Sequence, residues 1–157
     1  MTDTLMQPFW VRQNQDRLGA VLRLGISDVF IKVATADSGA NLFVAEMVHH
    51  AKGGPGRHFH PDQDEWFYVV EGKYIFEIGQ ERIHLQAGDS CFGPRKVPHV
   101  WTFVGNQVGR ILFVFTPAGQ MEAFFQETGQ SNAMPPQDPD FFRTYGMELV
   151  GPPLAIE

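Results

Sequence analysis

The pattern His58-x-His60, then Glu65, then His99 far downstream constrains this chain more than any other feature. Three imidazoles and one carboxylate are a complete ligand set for a divalent transition metal, and they work only if distant segments converge. On a strand, successive side chains alternate faces, so His58 and His60 point the same way, roughly 6–7 Å apart, with Phe59 opposite. Glu65 opens an apolar run, Trp66-Phe67-Tyr68-Val69-Val70, that reads as the next strand. Pro61-Asp62-Gln63-Asp64 between them has turn chemistry. His99 begins a third strand over residues 98–103, so three strands of one sheet are expected to meet at one locus.

Nearly every other segment also reads as a strand. Residues 9–12, 18–24, 28–35 and 41–49 come first, with a turn at Asp37-Ser38-Gly39. In the last of these, Phe43, Ala45 and Met47 share one face by alternation. Residues 73–78, 82–86, 90–92, 97–104 and 110–116 follow, punctuated by Gly72, Gly79, Gly88 and Gly105. Short strands so regularly spaced predict an all-β barrel or jelly roll. Gly53-Gly54-Pro55-Gly56 reads as a loop, and no helix or P-loop lysine follows it to hold a phosphate. Past Pro117 the pattern changes. Met121, Phe124 and Phe125 have helical spacing, with Gly129 where a C-cap belongs, and residues 140–145 before Gly146 suggest a second short helix. Residues 131–139 read as a linker and 147–154 as an extended tail.

Other chemistry-bearing residues have ordinary readings. His49 and His50 are adjacent at a strand end, and solvent positions are expected for both. His84 lies between core-facing Ile83 and Leu85 and should face solvent. Cys91 reads as a small buried hydrophobe, not a nucleophile. By alternation, Trp101 and Phe103 share the face of His99, and Phe67 and Val69 that of Glu65; these four are expected to line the pocket around the metal.

The chain's 157 residues, 43% of them hydrophobic, suffice for one core and are few for two domains. We expect a single domain over residues 1–157, with N-terminal strands in 1–27, a barrel core at about 28–117 and a helical appendage in 118–157. A net charge of −6 argues against nucleic acid or an anionic membrane surface as partner. One cysteine excludes an internal disulfide and suits a reducing compartment. Without a membrane-length apolar run or a basic, apolar start at Met1-Thr2-Asp3-Thr4, a cytoplasmic location is expected. The apolar Phe9-Trp10-Val11 would cover an exposed sheet edge in a homodimer.

The ligands lie in two gapped motifs that closely resemble those of the cupin superfamily. The first reads Gly53-Gly54-Pro55-Gly56-Arg57-His58-Phe59-His60, four residues, Glu65, six residues, Gly72; the second reads Gly88, five residues, Pro94-Arg95-Lys96, two residues, His99, three residues, Phe103. Lys96 stands where the family usually has Gly, and Phe103 where it has Asn. The resemblance spans roughly residues 40 to 118 and implies a double-stranded β-helix (a jelly-roll barrel) with short C-terminal helices. It also implies one divalent metal (Fe, Mn, Ni, Co, Cu or Zn) on His58, His60, Glu65 and His99. The C-terminal sequence is similar to that of small quercetin 2,3-dioxygenase-like cupins. That likeness implies an oxygenase acting on a small aromatic or enolic, flavonol-like substrate, with Glu65 doubling as catalytic proton acceptor. A non-redox isomerase, lyase or hydrolase and a non-catalytic ligand-binding cupin are the alternatives.

Overall fold

A computed structural model describes residues 6–156. Among these residues eleven strands form two antiparallel sheets. One has the order β1 (Leu22–Arg23), β2 (Ser27–Val33), β3 (Phe43–His49), β10 (Gly109–Thr116), β5 (Asp64–Glu71), β8 (Ser90–Gly93). The other has the order β11 (Glu148–Leu149), β4 (His58–Phe59), β9 (His99–Phe103), β6 (Lys73–Ile78), β7 (Glu81–Gln86). This is the all-β jelly-roll barrel expected. Alternation decides what fills it: β3 buries Phe43, Ala45, Met47 and His49, and β5 buries Glu65, Phe67 and Val69. The aromatic core includes Tyr74, Phe76, Trp101, Phe103, Phe113 and Phe115.

Phe103, in place of the usual polar residue, is fully buried against Tyr74 and His49. Its ring needs space that only glycine leaves: a Cβ on Gly109 would fall 2.4 Å from it, and one on Gly105 2.8 Å. Lys96 has φ 70°, which explains why glycine is usual there; a lysine in that conformation costs about 1 kcal/mol. Its backbone N–H still donates to the His60 carbonyl at 2.8 Å.

The N-terminal expectation is corrected. Residues 9–12 form no strand, and of 18–24 only Leu22–Arg23 pairs. Side chains pin this segment instead of a ladder. Asp16 accepts from Ile31 N, Arg17 grips Asp37 with two hydrogen bonds, and Arg110 reaches Asn14 and Glu46.

The C-terminal segment supplies α1 (Met121–Thr128) and α2 (Pro139–Thr144). Asp138 caps α2 by accepting from Asp140 N, with Pro139 at the first helical position. Gly146 is left-handed at φ 78°, but Gly129 is not: its φ is −70°. Glycine there answers to packing, since a Cβ would meet Leu22 at 2.9 Å. The tail after α2 is a strand as well as extended chain, because β11 pairs with β4. Among the described residues no helix is long and apolar enough to cross a membrane.

Candidate metal centre

The ligand set assembles across the barrel. His58 and His99 stand directly opposite each other on β4 and β9 of one sheet, and His60 follows just past β4. Glu65 comes from β5 in the other sheet, which corrects the expectation of a single sheet. Facing sheets deliver ligands from two directions, as a closed coordination shell needs. All four side chains are at most 6% exposed, and one ligand atom from each lies within 4.8 Å of the others.

Glu65 Oε2 is 3.1 Å from both His60 Nε2 and His99 Nε2. None of these three atoms has a hydrogen-bond partner, although all are buried. Short contacts without hydrogen-bond alignment mean that the lone pairs point at a shared centre rather than at each other. Two ligands bound about 2.1 Å from one ion at right angles lie about 3.0 Å apart, which is the spacing seen. His58 Nδ1–H donates to the Gly56 carbonyl at 2.8 Å, fixing the tautomer that leaves Nε2 free to ligate. These residues therefore fit a divalent transition metal. Phe67, Phe115 and Phe142 pack their rings against His99, His60 and His58 respectively, holding the imidazoles in orientation.

Burial, with the neighbouring imidazoles, pushes His58 down to about 3, so it is neutral and able to ligate at pH 7. Burial alone would raise Glu65, but the His60 and His99 imidazoles 3.1 Å away outweigh it and hold the carboxyl at about 2. Glu65 is thus ionised at pH 7, the form in which a carboxylate ligates a metal. Burial lifts the Cys91 thiol to about 12, where it is neither nucleophile nor ligand.

His58 and Glu65 also border a cavity of about 50 Å³, room for roughly three to five waters at ~10–15 Å³ each. Its wall is mostly apolar: Trp101, Phe113, Phe115, four methionines (Met47, Met121, Met134, Met147), and Phe124, Phe125 and Phe142 from the helices. Of the four residues expected to line the pocket, Trp101 does. Phe67, Val69 and Phe103 are wholly buried and do not border it. Alternation settles which way a side chain points but not what it meets: Phe67 packs on the His99 ring and Phe103 on the His49 ring. The C-terminal appendage closes the cavity, which helical spacing alone did not reveal. Gln63 ties the β4–β5 loop to that appendage by donating to the carbonyls of Pro117 and Ala118. Arg57 and Arg95 are engaged by Glu77 and Asp64, and neither borders the cavity.

His84 and His50 are exposed, but His49 overturns its expectation. It is 0% exposed, borders the cavity and contacts the Tyr74 hydroxyl through Nδ1 at 2.9 Å. The signal was available, since continuing the Phe43-Ala45-Met47 face by two residues lands on His49. Burial and the neighbouring His50 push its pKa down to about 3. The unfolded chain, with an ordinary histidine pKa near 6.5, takes up this proton more readily than the folded one. Its contribution to stability is thus complete above pH 6.5 and is lost as pH falls from there towards 3. Between pH 6 and 4, His49→Phe should show a shallower loss of stability than wild type, by up to about 1.4 kcal/mol per pH unit. Urea midpoints across that range test it, and parallel slopes would refute it.

Comparison with known proteins agrees with the fold and the motifs. Residues 44–115 match the family described as Cupin domain. A stretch of 72 residues is 28% identical to tetracenomycin polyketide synthase protein TcmJ of Streptomyces glaucescens, covering 43% of this chain and 48% of that protein. The match thus spans about half of that relative. Among solved structures, KdgF from Halomonas sp. superposes with TM-score 0.59 at 19% identity, over 71% of this chain and 94% of that one. A predicted oxalate decarboxylase from Thermotoga maritima gives TM-score 0.62 at 19% identity, over 69% and 99%. At such identities the structures speak to the fold alone.

Proposed function

We propose that this chain, whose residues 44–115 match the Cupin domain family, is a small cupin and a metal-dependent enzyme that oxidises a small aromatic or enolic substrate with dioxygen. The observation that carries the reading is the joint lining of one apolar cavity by His58 and Glu65 of the ligand set and by Trp101, phenylalanines and methionines. Held by His58, His60, Glu65 and His99, a divalent metal supplies Lewis acidity and, when redox-active, a path for electrons to dioxygen. The protein's own part is to hold three imidazoles and one carboxylate in place, keep water scarce and take the ring by burial. The cavity of about 50 Å³ is smaller than the ~150 Å³ that takes benzene, so a one-ring phenol or enol requires the appendage to yield, and a three-ring flavonol requires it to open further. The likeness to a protein named for polyketide synthesis supports this class, because polyketides carry phenolic and enolic oxygens.

Protein reconstituted separately with each candidate metal should consume oxygen with one-ring phenols or enols when the metal is redox-active, and not with zinc. Turnover by the zinc form under argon would overturn the reading and assign Lewis-acid chemistry instead. We further propose a homodimer formed through the N-terminal segment, where Phe9, Trp10, Leu18 and Val21 are all exposed, Trp10 to 80%. Light scattering should give twice the chain mass, and a monomer at micromolar concentration would rule it out.

A further inference from the structure

The cavity has a second polar pole. Opposite Ser27 in the β2–β3 register stands His49, and both border the same space as His58 and Glu65. The His49 ring is fixed on three sides. It stacks on Phe103 at 5.4 Å, meets Trp101 edge-on at 5.4 Å, and contacts the Tyr74 hydroxyl through Nδ1. Its Nε2 is buried and has no hydrogen-bond partner among the described residues. Buried polar atoms are rarely left so, and an orphan in a cavity wall points to a ligand.

The tautomer follows from counting donors. Among the described residues the Tyr74 hydroxyl meets no other acceptor, so if Nδ1 carried the proton, the buried O–H would be stranded and Nε2 would be unpaired too. With the Tyr74 O–H donating to Nδ1, only one group is left over, an Nε2–H facing the cavity. Leaving fewer buried donors unpaired is the cheaper arrangement.

We infer that His49 Nε2–H is the second anchor of the substrate, donating to a carbonyl or similar acceptor oxygen remote from the oxygen held at the His58–Glu65 end. This rests on the proposed function and narrows it to molecules with two separated oxygens on a short apolar frame, such as acyl phenols. Tyr74 is a positioning residue, acting through the tautomer it imposes. Ser27 adds a second polar group at the same pole.

The test compares 4-hydroxyacetophenone with 4-ethylphenol, similar in shape but lacking the carbonyl, on zinc-loaded protein by calorimetry. Wild type should bind the ketone about 10-fold more tightly, the factor one buried hydrogen bond provides. That preference, read as the ratio of the two affinities within each protein, should vanish in His49→Phe, shrink in Tyr74→Phe and partly return in His49→Gln. Imidazole ¹⁵N spectra of wild type give a reading independent of whether the variants fold: the His49 Nε2–H signal should shift with the ketone and not with 4-ethylphenol. Equal affinities in wild type, or a preference retained in His49→Phe, would overturn the assignment even where both phenols need the metal. A preference dependent on His49 that persists in metal-free protein would keep the anchor and overturn the functional reading. No binding of either compound would overturn both.

Discussion

His99→Ala is expected to abolish stoichiometric metal binding and turnover while the barrel stays folded. His99 is 1% exposed, stands directly across from His58, and brings Nε2 to 3.1 Å from Glu65. Its loss removes one of four ligands, and three ligands cannot restore the shell without moving a strand. Affinity should fall by more than the ~10–100-fold typical of losing a mere supporting contact to a ligand. The stability cost is smaller. The missing ring leaves a void against Phe67, worth about 2 kcal/mol, but an orphaned buried nitrogen pair is removed with it, which offsets part of that. Elemental analysis, circular dichroism and oxygen uptake would report the three quantities separately, with exposed His84→Ala as control. Uptake that survives in His99→Ala would place the chemistry elsewhere.

Arg110→Ala should cause a large loss of stability. The guanidinium is 11% exposed, hydrogen-bonds Glu46 at 2.6 Å on neighbouring β3, and reaches Asn14 in the N-terminal segment. Truncation leaves a largely buried carboxylate without its counter-charge, a change that costs about 3 kcal/mol. For a chain of this size that lowers Tm by about 6–12 °C. The double variant Arg110→Met, Glu46→Leu should recover most of the loss, because an apolar pair of similar volume replaces both charges. Thermal melts of the three proteins decide it: a single variant that melts like wild type would mean that the pair contributes nothing.

Chemistry with a rigid spacing was legible in the sequence. His58, His60, Glu65 and His99 could be named because alternation and two gapped motifs fix their direction and order, and the structure brings all four together. What alternation leaves open is which neighbours an inward side chain meets: Phe67, Val69 and Phe103 point inward and are buried, yet they do not border the cavity, Phe67 packing on His99 and Phe103 on His49. It also leaves open which non-local segment closes the barrel. Phe142 packs on His58 from α2, and β11 pairs with β4, through contacts that no local pattern encodes. His49 was legible in principle, but its neighbour His50 and its strand-end position masked the inward face. The N-terminal segment misled for the opposite reason, since Phe9-Trp10-Val11 has strand composition while its anchors are the polar residues that follow.

Four of the six methionines surround the cavity. Thioethers make a soft wall that reshapes around different ring substituents, and they are also the most oxidisable apolar side chains the chain has. In an enzyme that brings dioxygen to this cavity, the wall itself becomes the casualty of each misdirected turnover. Sulfoxides accumulating on Met47, Met121, Met134 and Met147 would wet a surface built to be dry. The protein's working life would then be counted in catalytic cycles rather than in hours, and methionine sulfoxide reductase would restore it.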